Sequence, residues 1–141
     1  MRIPELLAPV GSMEHLKVAI NAGASSVYLS GKNYGARKFA ENFTLDEIGE
    51  AVNIAHMHNV KVYITVNTLI KEDELESVVD YLSKLYAIGV DAVLVQDLGL
   101  IELINEYLQS RISESNPISL ISFISSIRHK QSLLMMWLCL L

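Results

Sequence analysis

The sequence predicts an α/β protein made of four βα units of a partial TIM-type (β/α) barrel with parallel strands. Three passages carry this prediction: AINAGASSVYLSG, AHMHNVKVYITVN and YAIGVDAVLVQD. Each ends an amphipathic stretch, then places Gly23, Asn59 or Gly89 where a helix needs a left-handed residue after its last turn. Each then continues into a short run of apolar residues. The repeated pattern is therefore a helix stop followed by a strand.

The predicted strands SVYLS, VYITVN and AVLVQD are continuously apolar, which is typical of parallel strands covered on both faces. The opening IPELLAPV predicts a weaker first strand, with Pro4 and Pro9 near its ends. Alternating βα units with short connections favour either a doubly wound open sheet or a barrel. Neither of the first two strands is followed by a glycine-rich nucleotide fingerprint, so the barrel is favoured.

Four helices are predicted between and after these strands. Ser12 is the expected N-cap of the first, and Thr44 with Glu47 has capping-box spacing at the start of the second. The third and fourth lie in KEDELESVVDYLSKLYAIG and GLIELINEYLQS. The apolar positions expected to face inward are Leu45, Ile48, Val52 and Ala55, then Leu75, Val78, Val79, Leu82, Leu85 and Tyr86, then Leu100, Leu103, Ile104 and Leu108.

The bulk composition sets limits on function. At 141 residues and a net charge of −5, the chain suits one globular domain and shows no basic patch for non-specific nucleic-acid binding, although a particular RNA remains a possible substrate. Its one cysteine, Cys139, excludes an intrachain disulfide or a cysteine-ligated cluster. We expect a cytoplasmic protein without a transmembrane segment, because MRIPELLAPVGS is not a signal peptide and LLMMWLCLL is about half a membrane span.

Three segments resemble the beginning of the collagenase-like peptidases, number thirty-two among the peptidase families of unknown catalytic type. They are PELLAPVGSMEHLKVAINAGASSVYLSGKNYGARKFAENFT, VKVYITVNTLI and GVDAVLVQDLG, and the match covers about residues 3–108. The resemblance implies a barrel-type catalytic domain. It also implies a divided function, since the family is labelled as peptidases while bacterial relatives help to hydroxylate transfer RNA, ribosomal RNA or a quinone precursor. Some relatives carry an iron–sulfur cluster, whose ligands are missing here, so no cofactor is expected in this chain.

The last part of the chain differs in composition from the rest. NPISLISFISSIRHKQSLLMMWLCLL contains no Gly, Ala, Val, Thr or Asp. We therefore expect residues 1–110 to form the N-terminal half of a barrel domain and residues 111–141 to be a divergent tail, frameshifted or poorly ordered. A genuine alternative C-terminus, such as an oligomerising segment, is the competing interpretation. Half a barrel would leave the first and fourth predicted strands with unpaired edges and the inner face exposed, which favours self-association.

Candidate site residues follow from the rule that βα barrels bind ligands at the carboxyl ends of their strands. This rule selects residues 9–12, 30–43, 67–68 and 96–97. The expected substrate-binding residues are Lys32, Arg37, Asn42, Asn67, Gln96 and Asp97. Three of them have structural alternatives: Arg37 as an ion-pair partner of Glu41 or Asp97, Asn67 as a loop cap, and Asp97, more simply, as the N-cap of the fourth helix. Gly31 and Gly35 are expected to let the backbone approach a ligand.

No catalytic residue or metal ligand can be named from the sequence. His15, His56 and His58 fall in helices and are expected at the surface or in packing, and Ser12 lacks a histidine and acid at plausible places. Whether the chain is an enzyme stays open, because the region associated with activity in the family is absent. The preferred hypothesis is an N-terminal enzyme fragment, inactive alone, whose intact relatives act on peptide or RNA. The alternative is a non-catalytic interaction module or an oligomerising remnant.

Overall fold

The computed structural model describes residues 5–35, 42–97, 99–104 and 119–122. Strands and helices alternate along the chain, and all pairs of neighbouring strands are parallel, in the order β1-β2-β3-β4-β5. The predicted α/β fold with four βα units is confirmed. The elements are β1 (Leu7–Pro9), α1 (Met13–Asn21), β2 (Ser26–Ser30), α2 (Leu45–Met57), β3 (Lys61–Val66), a 3₁₀ turn (Glu72–Glu74) leading into α3 (Leu75–Ile88), β4 (Ala92–Val95), helical residues 99–104, and β5 (Ser119–Ser122).

The three predicted helix stops all have the left-handed backbone conformation. Gly23, Asn59 and Gly89 have φ values of 87°, 57° and 93°. In each case the next residue donates its amide to the carbonyl five residues earlier, which closes the last helical turn. These bonds join Ala24 to Ala19 (3.1 Å), Val60 to Ala55 (2.9 Å) and Val90 to Leu85 (3.3 Å). The prediction of a helix stop before each strand is confirmed.

The predicted N-caps are also confirmed. The Ser12 hydroxyl accepts the His15 amide at 3.2 Å at the start of α1. At the start of α2, the Thr44 hydroxyl accepts the Glu47 amide at 3.2 Å, and the Glu47 carboxylate accepts the Thr44 amide at 2.7 Å. This reciprocal bonding, led by the Thr44 amide, holds the pKa of Glu47 below its usual value.

The main core lies between the sheet and the helices. Alternate strand residues point into it, including Val27, Leu29, Val62, Ile64, Val66, Val93 and Val95. The inward stripe of α3 differs from the predicted one, because Val78, Tyr81, Leu82 and Leu85 are buried while Leu75, Val79 and Tyr86 are only partly buried. The difference has a physical cause in Tyr81, whose ring reaches across to the end of β2. Leu100 and Ile104 are buried as predicted, and Leu108 lies outside the described residues.

The opposite face of the sheet carries a second, smaller cluster. Tyr63, Ala92 and Leu94 are 7%, 0% and 7% exposed, so at these positions the inner face is not open, contrary to the expectation for half a barrel. The Tyr63 hydroxyl donates to the Glu5 carboxylate. Burial and the neighbouring Glu5 raise the pKa of Tyr63 well above its usual range. Burial is the largest single effect on Glu5 and opposes its ionisation, but the hydrogen bonds from Tyr63 and Ser26 and the charge of Lys61 together lower the pKa of Glu5.

A fifth strand corrects the expectation for β4. Residues 119–122 pair in parallel with it, with Ala92 opposite Ser119 and Val95 opposite Ser122. The expected unpaired edge at β4 is therefore wrong, and among the described strands the outer positions belong to β1 and β5. The rest of the tail lies outside the described residues, so the proposed division at residue 110 stays a prediction. No helix in the described part of the chain is long and apolar enough to cross a bilayer.

Gly31 and Tyr81 form a close contact between the end of β2 and α3. A Cβ atom on Gly31 would collide with the Tyr81 hydroxyl and would lie 3.3 Å from Cζ of the ring. Tyr81 is 4% exposed, and its hydroxyl has no hydrogen-bond partner in the described structure. Burial, with a smaller effect of Tyr34, raises the pKa of Tyr81 to about 12. This contact makes glycine necessary at position 31.

We predict that Gly31→Ala lowers the free energy of unfolding by about 1–3 kcal/mol, because the added methyl group overpacks the contact. Tyr81→Phe alone should be neutral or slightly stabilising, since the lost hydroxyl has no partner. In the double variant the cost of Gly31→Ala should be smaller, because the clashing oxygen is gone. Urea denaturation of all four proteins measures the cycle, and additive effects of the two changes would contradict the contact.

Candidate functional site

The carboxyl ends of β2, β3 and β4 bring most of the predicted site residues to one edge of the sheet, hereafter the carboxyl edge. Asn67 directly follows β3, and Gln96 and Asp97 directly follow β4. Lys32 and Asn42 lie on the two sides of the β2–α2 loop, next to a bridge between Gly31 and Phe43. Lys32 and Gln96 are exposed, whereas the other three are partly buried. Arg37 and its expected partner Glu41 lie outside the described residues.

The neck of the β2–α2 loop is closed by backbone hydrogen bonds. The Phe43 amide donates to the Ser30 carbonyl, and the Lys32 amide donates to the Phe43 carbonyl, both at 3.0 Å. Gly35 packs over Ser30 so closely that a Cβ atom would collide with the Ser30 hydroxyl. Gly31 and Gly35 therefore serve the packing of the chain itself, and their expected role in the approach of a ligand stays a prediction.

Tyr34 connects this loop to its neighbours. Its φ of 59° is unusual for a residue with a side chain. Its hydroxyl donates to the Ser77 hydroxyl on α3 at 2.8 Å, and its carbonyl accepts the Thr68 hydroxyl at 3.1 Å. Its ring lies 5.6 Å from that of Tyr81, tilted by 54°. These contacts over-determine the strained backbone and tie the loop after β2 to the loop after β3.

Asp97 ties the loop after β3 to the end of β4. One carboxylate oxygen accepts the Leu100 amide at 3.0 Å, and the other accepts the Ile70 amide at 3.2 Å. The Leu100 bond is the main reason that the pKa of Asp97 lies below its usual value. The simpler alternative, an N-cap for the helical residues 99–104, is confirmed. As a general base Asp97 is poorly suited, because both oxygens already accept backbone amides.

The three histidines in the described part of the chain do not assemble a metal site. His56 contacts Asp91 at 2.7 Å, and the same Asp91 oxygen accepts the Val62 amide at 2.8 Å, so this pair joins α2 to the start of β3 and β4. His15 is exposed on α1, and His58 is the C-cap of α2. In residues 5–35, 42–97 and 99–104, no three His, Cys, Asp or Glu side chains form a metal-ligating group. With a single cysteine, the chain also does not fit an iron–sulfur cluster.

The carboxyl edge is therefore suited to binding rather than to proton transfer. It offers the amide side chains Asn42, Asn67 and Gln96 and the cation Lys32. The described edge shows no nucleophile paired with a base, and Asp97 holds the backbone. Sequence reasoning did not find the linking role of Thr68, although its position beside Asn67 is a weak signal.

A match along most of the chain establishes the family to which it belongs. The family model for peptidase family U32 matches residues 11–132. The chain belongs to this family. The resemblance seen in the sequence is thus confirmed, and the matched range continues past Leu108 into the segment expected to be divergent.

The proteins that are similar in sequence to this chain are named for different activities. It is 40% identical over 99 residues to the "tRNA hydroxylation protein P1" of Bacillus subtilis, covering 70% of this chain and 24% of that protein. It is 42% identical over 99 residues to the "23S rRNA 5-hydroxycytidine C2501 synthase" of Escherichia coli, covering 70% of this chain and 15% of the synthase. It is 36% identical over 122 residues to a "Collagenase" of Porphyromonas gingivalis, covering 79% of this chain and 28% of that protein. The chain thus spans about a quarter or less of the first two relatives.

A solved structure supports the same fold. The U32 peptidase Mk0906 superposes with a TM-score of 0.61 and 16% sequence identity. The superposition covers 86% of this chain and 49% of the peptidase. At this identity the likeness concerns the fold alone.

We predict that Asp97→Ala lowers the free energy of unfolding by about 0.5–2 kcal/mol, because an N-cap and the acceptor for Ile70 are lost together. Asp97→Asn should be less destabilising, since the amide oxygen can still accept one bond.

The pH dependence of stability separates the contribution of the Asp97 charge from that of the shape of its side chain. The pKa of Asp97 is lower in the folded chain than the usual value for aspartate, about 3.9. Its ionised form therefore stabilises the fold above that value, and this contribution is lost as the pH falls through the folded pKa. The stability difference between the native chain and Asp97→Asn should therefore be full near pH 6 and shrink below about pH 4. Urea denaturation across this range measures it, and a constant difference would contradict the assigned bonds.

Proposed function

We propose that this chain forms the N-terminal part of an RNA-hydroxylation protein of the U32 family and contributes one side of its RNA-binding site. The observation that carries the proposal is the 40–42% identity to relatives named for tRNA and rRNA hydroxylation. The proposed site is the carboxyl edge.

The chemistry of the carboxyl edge supports an RNA ligand. Amide side chains such as those of Asn67 and Gln96 can donate to and accept from the edges of unpaired bases, while Lys32 suits a phosphate. Exposure of Lys32 and Gln96 leaves both accessible. Because the chain carries a net charge of −5, binding would be local and shape-dependent rather than driven by overall charge.

The chain alone is proposed to be inactive. It spans 24% of the B. subtilis relative and 15% of the E. coli relative, so most of either protein has no counterpart in it. Residues 1–110 are proposed to act as the barrel half, with residues 111–141 as a separate tail. A cytoplasmic location belongs to the same proposal, because the RNA substrates named for the relatives are found there.

Peptide hydrolysis is the second candidate, favoured by the similarity to the collagenase and by 42% identity over 106 residues to an "Uncharacterized protease" of Methanocaldococcus jannaschii. A non-catalytic interaction module that associates through the sheet edges at β1 and β5 is a further alternative. RNA hydroxylation and peptide hydrolysis would both need catalytic groups from the part of the relatives that this chain does not match. Only the module needs no catalytic partner.

A chimera tests the proposed function. Residues 3–104 would replace the matching segment of the tRNA hydroxylation protein P1 in a B. subtilis strain that lacks its own P1 and P2. We expect the chimera, but not this chain alone, to restore the tRNA nucleoside that carries one additional oxygen atom, measured by mass spectrometry. Restoration by the chain alone would contradict its inactivity, and a folded chimera that restores nothing would contradict the RNA role.

Matched substitutions in the chimera test the carboxyl edge. Gln96→Ala and Lys32→Ala should each reduce hydroxylation by roughly 2- to 10-fold, the effect of one lost hydrogen bond or phosphate contact. Glu14→Ala, at an exposed position on α1, is the control and should leave hydroxylation unchanged. Equal loss in all three variants would show that the edge has no special role, and collagen cleavage by the chimera would favour the peptidase.

A further inference from the structure

An open groove of about 580 Å³ lies between α2 and α3, on the outer surface of the helix layer. It is separate from the carboxyl edge and from every residue assigned to the proposed function. We call it the α2–α3 groove. Its lining consists of Leu45, Asp46, Gly49, Glu50, Asn53, Lys84, Ala87 and Ile88.

The lining residues are spaced as on a surface against which another helix packs. Leu45, Gly49 and Asn53 form a row with a spacing of four residues along α2, and Lys84 and Ile88 form such a row on α3. Rows with this spacing are the ridges and grooves through which helices pack. The row on α2 is roughly 12 Å long, because the rise of an α-helix is about 1.5 Å per residue. A helix of a few turns fits this length.

Gly49 is a second feature, independent of the spacing of the lining residues, that indicates a partner in the groove. It lies in the interior of α2, where glycine is less favourable than alanine, yet a Cβ atom there would meet nothing within 4 Å. Gly31 is the contrast, because a Cβ atom there would collide with Tyr81. The described packing of the chain therefore explains the glycine at position 31 but not the one at position 49. Its missing side chain lowers the floor of the groove and permits a close approach by another backbone.

The charges on the rim of the groove indicate which charge a partner would carry. Asp46 and Glu50 are exposed on α2, and neither forms an ion pair within the described structure. The cation in the lining, Lys84, is already paired with Asp80 at 2.6 Å. Between these charges the floor contains the apolar side chains of Leu45, Ala87 and Ile88. The groove thus combines an apolar floor with an acidic rim.

We propose that the α2–α3 groove binds an amphipathic helix of a partner protein, with an apolar stripe on the floor and Lys or Arg side chains beside Asp46 and Glu50. Helix-in-groove recognition joins both features, because the apolar stripe supplies contact area and the flanking charges set orientation. The proposal is independent of the RNA role.

Two synthetic peptides test it with the full chain. Both have about 15 residues and one Leu/Ala stripe, and they differ only in Lys or Glu flanks. Fluorescence anisotropy should show saturable one-to-one binding of the Lys-flanked peptide and none of the Glu-flanked peptide. Gly49→Leu, which fills the floor, should weaken binding by about tenfold or more while the thermal midpoint is equal or higher.

Charge variants separate recognition from non-specific attraction. Glu50→Lys should weaken binding, whereas Glu14→Lys, with the same change in net charge on exposed α1, should not. Equal weakening by both, or full binding by Gly49→Leu, would overturn the proposal. Self-association of the chain that Gly49→Leu abolishes would also overturn it, in favour of a second copy as the occupant.

Discussion

The left-handed residues that follow α1, α2 and α3 are the constraint on which the rest of the fold depends. Gly23, Asn59 and Gly89 reverse the chain within a few residues, so each strand begins at a fixed distance from the preceding helix. Parallel pairing then aligns the strands, with Ser30 opposite Thr65 and Val66 opposite Val95. Because their carboxyl ends are level, the residues that follow them gather at one edge. The site is thus a consequence of how the helices stop.

The carboxyl edge is held together by side chains and backbone groups that bond to one another within the chain. Tyr34 and Thr68 connect the loops after β2 and β3, and Asp97 connects the loop after β3 to the end of β4. Each connection uses a backbone group that would otherwise need another partner. This arrangement divides the predicted residues by role: Asp97 positions the edge, whereas Lys32 and Gln96 remain exposed at it.

Local signals were sufficient to predict much of the fold. Capping residues, glycine stops and apolar runs depend on neighbours in sequence, and so Thr44, Gly89 and the strands could be identified directly. Tyr81 could not, because its burial depends on Gly31, fifty residues earlier in the chain. The strand at residues 119–122 was missed for a related reason: no glycine or asparagine helix stop was recognised before it, as was before β2, β3 and β4, and its pairing with β4 is a long-range contact. Among the site residues, the capping role of Asp97 was predicted, but its bond to Ile70 was not.

The proposed contact between the carboxyl edge and RNA rests on the similarity of this chain to relatives named for RNA hydroxylation. The most direct measurement is a titration of the ¹⁵N-labelled full chain with tRNA from a B. subtilis strain that lacks the hydroxylation proteins P1 and P2. We expect the amide shifts of residues 30–34, 67–70 and 96–97 to change. The opposite edge of the sheet, at residues 24–26, 60–62 and 90–92, should remain unchanged. Changes confined to that opposite edge, or no change at saturating tRNA, would contradict the claim.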